Sequence, residues 1–250
     1  MSTARLLWVE RRAATTSEVA PARPLVPFAC LGAAITALAV LTSAALTGIA
    51  WGPVAATALV AFIGFATAIA LMPRHYPHAR LGGANIVTSV RLGLVAVLAG
   101  MLLAVEPASI AIIVIAIVAL SLDGVDGMLA RRQGLSSRFG ASFDMEVDSV
   151  FALVLAALAA LGPAGPLALL LGLPRYLFGG ATVVAPWLNG PLDERFSRKV
   201  VCVVQLIALI ALQLPILPAA LAVTLTVGVA LMLAWSFGLD IVALRRARAA

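Results

Sequence analysis

The sequence predicts an all-α fold: a polytopic transmembrane helical bundle of about eight spans. Three observations predict it. Of the 250 residues, 63% are hydrophobic and only 11% are charged, whereas a soluble domain carries roughly 25% charged residues. Long apolar runs recur along the chain, each close to the roughly 20 residues that a helix needs to cross a bilayer. Arg and Lys appear in every second connection between those runs, as they do when alternate loops face opposite sides of a membrane.

Residues 1–24 form a basic N-terminal tail with Arg5, Arg11, Arg12 and Arg23. The apolar run that follows spans about 25 residues, longer than the 7–15 of a signal-peptide core, so an uncleaved helix is expected. Runs at 25–50 and 53–72 are two N-terminal membrane helices within segment 25–83, parted by Trp51-Gly52-Pro53. The polar stretch Arg74-His75-Tyr76-Pro77-His78-Ala79-Arg80 closes that segment.

Six further spans fill residues 84–240, at about 84–105, 108–130, 139–162, 166–188, 198–214 and 218–239. Turn signals break them at Glu106-Pro107, Gly162-Pro163, Asn189-Gly190-Pro191 and Leu214-Pro215. Residues 241–250 are a basic C-terminal tail with Arg245, Arg246 and Arg248. The connections near residues 51, 106, 164 and 216 hold no Lys or Arg. Both termini are therefore predicted to face the cytoplasm. A missed or extra span would scramble this alternation.

The net charge of +6 comes from residues flanking spans. No soluble basic module exists to bind nucleic acid, and none is expected to be bound. Cys30 and Cys202 fall in apolar runs and read as reduced packing residues.

Charge inside the apolar runs carries the functional signal, because an ionisable group there is costly and marks a site. Asp123 and Asp126 are three apart near the cytoplasmic end of the fourth span, about 6–12 Å from that end at a rise of 1.5 Å per residue. Asp144 and Asp148 are four apart at similar depth in the fifth. Both spacings put the pair on one helix face. Two antiparallel neighbours joined by a short loop can bring these faces together into a pocket of four carboxylates just inside the cytoplasmic surface. Such a pocket needs cations, and hard oxygen ligands suit Mg²⁺ or Mn²⁺. Two ions could share four carboxylates and clamp a phosphate-bearing substrate.

Gly124, Gly127 and Gly140 clear side chains from the same faces, and Arg131 and Arg138 stand at the mouth as phosphate donors. Glu146 points off the shared face and is left out of the metal set. Arg91 lies about two turns into the third span, and Arg175 nearer the middle of the sixth.

From Asp123 to Asp148 the residues read D-x-x-D-G-x-x-A-R, eight residues, then G-x-x-x-D-x-x-x-D. This closely resembles the signature of the CDP-alcohol phosphotransferases (the CDP-alcohol phosphatidyltransferase family). Asn85, Thr88 and Arg91 match the N-x-x-T-x-x-R pattern that precedes it in that family, with Ala84 where relatives often have Pro.

The resemblance implies a six-helix catalytic core over residues 84–240 and leaves the two N-terminal helices as an addition. It implies that Asp123, Asp126, Asp144 and Asp148 hold two metal ions, with Asp148 also the general base. It implies that Gly127, Ala130, Arg131, Ser137 and Gly140, with Asn85, Thr88 and Arg91, attend a CDP-linked donor such as CDP-diacylglycerol. A polar alcohol acceptor attacks, CMP leaves, and the enzyme serves phospholipid biosynthesis. The resemblance also implies a homodimer, for which no interface is legible in the residues.

Arg175, Arg198 and Lys199 are candidates for an acceptor phosphate. Two other readings stay open: a cation- or proton-coupled transporter using intramembrane acids, or an inactive relative serving as a scaffold. The acceptor itself is not legible.

Overall fold

The computed structural model describes residues 24–105, 109–190 and 195–249, and these are all-helical apart from their connections. The N-terminal tail at 1–23 lies outside the described residues. Helix α1 spans Leu25–Thr47 and ends where Gly48 turns left-handed at φ 67°, its N–H returning to the Ala44 carbonyl. Only glycine adopts that conformation without strain. Helix α2 spans Trp51–His75, and α3 spans Gly83–Met101. Helix α4 spans Ser109–Gln133 and α5 spans Arg138–Ala160.

The sixth expected span is broken. A 3₁₀ turn at Gly165–Ala168 leads into the short α6 at Leu169–Gly172, and α7 follows at Pro174–Val184, bent by 56° from that first segment. Pro174 lacks an amide hydrogen and its ring clashes with the preceding turn, so a straight helix cannot run through it. Helix α8 spans Phe196–Ala211. Helix α9 spans Ala219–Ala249 and continues through the basic segment that the sequence presents as a tail.

Four helices among the described residues are long and apolar enough to cross a membrane: α1, α2, α3 and most of α9. The bent α6–α7 region makes a fifth if taken as one span. Fewer than eight helices among the described residues meet that length and apolarity. Helix α5 carries Asp144, Glu146 and Asp148 within its apolar length, and α8 has only 16 residues. The apolar helices nevertheless mark an integral membrane protein.

Helix α3 is the centre of the bundle and packs against α1, α2, α4 and α5. Its Val95, Ala96, Val97 and Leu98 are buried on successive positions, so its C-terminal half is apolar all round, as a central helix must be. The outer faces of α1 and α2 expose Leu38, Leu41, Leu59 and Phe62, as lipid-facing surface does. Cys30 and Cys202 are exposed free thiols rather than packing residues.

Candidate functional site

The loop between α4 and α5 is built for a tight reversal. Gly134 is left-handed at φ 62°, and Ser137 caps α5 by accepting the Gly140 N–H at 3.0 Å. The start of α3 is tied to the same place, because Gly83 N–H donates to the Gln133 side-chain oxygen at 2.8 Å. A Cβ on Gly140 would lie 3.0 Å from Asn85 Oδ1 and 3.3 Å from Ser137 Oγ. The glycine thus lets α3 and α5 approach closely just below the aspartates.

Helix α3 packs against both α4 and α5, and its Arg91 is the hub of the site. The guanidinium is buried, its side chain 1% exposed. Nη1 lies 2.9 Å from Asp123 Oδ1 and donates to Asp144 Oδ1 at 2.6 Å, while Nη2 donates to Asp148 Oδ1. The three aspartates are about one-third exposed, at 34%, 36% and 37%. They form an open mouth over a buried cation. One carboxylate oxygen from each lies within 4.8 Å of the others.

Two aspartates from α5 and one from α4 are therefore brought together as the spacing predicts. The side chains of Asp126, Gly127, Ala130 and Arg131 lie outside the described residues. Asn85 and Thr88 are buried on α3, one and two turns before Arg91, with the Thr88 hydroxyl donating to the Ala84 carbonyl.

One guanidinium faces three carboxylates that are each about one-third exposed. Hard carboxylate oxygens are the ligands that Mg²⁺ and Mn²⁺ prefer. The donor set fits such an ion.

A cavity of about 770 Å³ opens beside the cluster, between α5, α7, α8 and α9. Asp148 is the one member of the described triad that also lines it. Arg175 and Arg198 line it too, whereas Lys199, next along α8, does not. Arg175 is not buried in mid-span: its side chain is 42% exposed in the first turn of α7, just after the break. It donates to Glu146 Oε1 at 2.6 Å. Arg198 lies 3.1 Å from Asp240 Oδ1, and Arg195 shares that oxygen at 2.7 Å.

Glu146, Arg195 and Asp240 are members of this polar network that the spacing argument leaves out. Asp240 could have been found by the cost argument used for the other aspartates, since it is a buried acid in an apolar helix.

No curated protein and no solved structure matches the chain. The family model described as CDP-alcohol phosphatidyltransferase matches residues 82–239, from the start of α3 to the middle of α9. That stretch holds Arg91, all four aspartates and Arg198, so the chain belongs to the CDP-alcohol phosphatidyltransferase family.

Proposed function

We propose that this membrane protein is a phosphotransferase that moves a substituted phosphate, such as a phosphatidyl group, from a CDP-linked donor to an acceptor alcohol. The observation that carries the reading is the position of Asp148. Among the described residues it alone belongs to both the carboxylate cluster and the neighbouring cavity. A base must touch the acceptor while the donor phosphates lie within reach, and this residue stands at that boundary.

In this reading the acceptor hydroxyl attacks the β-phosphorus of the donor. The new P–O bond forms, the bond to CMP breaks, and Asp148 takes the hydroxyl proton. Asp123, Asp126, Asp144 and Asp148 would hold Mg²⁺ or Mn²⁺, two ions in the full set. Bound there, the metal would supply Lewis-acid neutralisation of the phosphate charge. Arg91 keeps the carboxylates gathered. Asn85, Thr88, Gly127, Ala130, Arg131, Ser137 and Gly140 frame the donor's cytidine and phosphates. The cavity with Arg175 and Arg198 takes the acceptor. Eight passes, with both termini and the site on the cytoplasmic side, would give a soluble nucleotide access to the open mouth.

The test is CMP release by purified protein from CDP-diacylglycerol, with a panel of acceptor alcohols. Release is expected with at least one acceptor, to stop on chelation, and to return with Mg²⁺ or Mn²⁺. Release that survives full chelation, or no release with any acceptor, contradicts the reading.

A further inference from the structure

The two N-terminal helices lie outside the residues matched to the family, yet they touch the same elements that carry the site. Phe28 of α1 is fully buried. Its ring meets Phe139 and Phe143 edge-on, both at 5.9 Å between centroids, and Phe65 of α2 at 6.1 Å. Phe139 and Phe143 stack on each other at 5.7 Å, and Tyr76, at the end of α2, meets Phe139 at 5.8 Å. These five rings form one buried cluster, three of them supplied from outside the family segment.

The cluster sits where rotation of α5 matters. Phe139, Phe143 and Val147 are a buried stripe at spacing four, continued by Phe151. Asp144 and Asp148 each follow a member of that stripe by one residue, which is about 100° around the helix. Seating the phenylalanines against Phe28 of α1 and Tyr76 at the end of α2 therefore fixes the direction of the carboxylates.

Helix α3 is held from the same side. A Cβ on Gly64 would lie 2.7 Å from Leu92, the residue after Arg91, so α2 runs close along α3. The Tyr76 hydroxyl donates to the Arg80 carbonyl at 2.6 Å and accepts the Gly82 N–H at 3.0 Å, which anchors the chain just before α3 begins. Arg91 and the two α5 aspartates thus share one support, built largely from the N-terminal helices.

We propose that the N-terminal helix pair is a positioning scaffold for the carboxylate cluster, and that Phe28 is its central positioning residue. The inference rests on reading the aspartates as a metal site.

The experiment uses the full-length protein in nanodiscs, with Mn²⁺ binding followed by electron paramagnetic resonance and stability by thermal unfolding. Phe28→Ala is expected to weaken Mn²⁺ binding roughly tenfold, the low end of the effect of removing a ligand's direct outer-shell partner, because Phe28 acts through Phe139 and Phe143. Phe28→Leu keeps most of the apolar volume but loses the edge-on ring contacts to Phe65, Phe139 and Phe143, and is expected to weaken Mn²⁺ binding by about threefold; it carries the test alone if the alanine variant does not fold. Leu98→Ala, in the buried far end of α3, is the control: it is expected to lower the unfolding temperature and to keep Mn²⁺ affinity within about twofold.

Wild-type affinity in the Phe28 variants overturns this inference and leaves the metal-site reading intact, and so does equal weakening in Leu98→Ala. Absence of Mn²⁺ binding by the wild type overturns both.

Discussion

Arg91 is the residue on which the electrostatics turn. A guanidinium stays charged at any accessible pH and presents several donors in one plane, so it can serve three carboxylates at once. Here it reaches Asp123, Asp144 and Asp148. Removing it leaves those acids facing one another without its positive charge between them. Breaking a buried ion pair costs about 3–5 kcal/mol, and these aspartates are about one-third open to water, so Arg91→Ala should destabilise the metal-free protein by roughly 2 kcal/mol. Added Mg²⁺ should then raise the unfolding temperature of the variant more than that of the wild type. An equal rise in both would show that the guanidinium and the metal do not share a site. The sequence points to Arg91 as an intramembrane charge worth attention. Its place among the carboxylates was not legible, because the rotation of α3 against α4 and α5 depends on packing partners.

At the scale of elements, paired spacing in α4 and α5 was readable because acids in apolar helices are rare and costly. The N-terminal aromatic cluster was not, since in helices that are apolar on every side no period distinguishes a packed Phe28 from a lipid-facing Phe62. The break at Pro174 had a sequence signal in the proline itself, which a continuous run of apolar residues obscured.

Close helix approach is the other element-level device. A Cβ on Gly100 of α3 would overlap the Thr57 hydroxyl and lie 2.6 Å from the Pro53 carbonyl oxygen. Gly100→Ala should therefore force α2 away from α3 and destabilise by about 1–3 kcal/mol, as overpacking does. Thermal unfolding checks this, and an unfolding temperature equal to the wild type's would mean the contact relaxes freely.

The whole molecule joins a family core to an N-terminal helix pair through one continuous interior, with α3 shared between them. The family reading came from a signature of fixed residues, and the matched segment agrees with it. The span count was less legible: it relied on apolar length, and the site itself interrupts that length with acids in α5. The cavity beside the carboxylates was out of reach of any spacing rule, because Asp148, Arg175, Arg198 and Asp240 come from four different helices.

Asp148, the proposed base, belongs to both the carboxylate cluster and the cavity, and a single comparison tests its role most directly. CMP release from CDP-diacylglycerol is measured for the wild type and for Asp148→Asn under saturating Mg²⁺ or Mn²⁺, with unfolding temperatures recorded alongside. The variant is expected to keep its fold and lose about a thousandfold in rate, in the range for a removed general base. Wild-type CMP release from a folded Asp148→Asn protein would contradict the account.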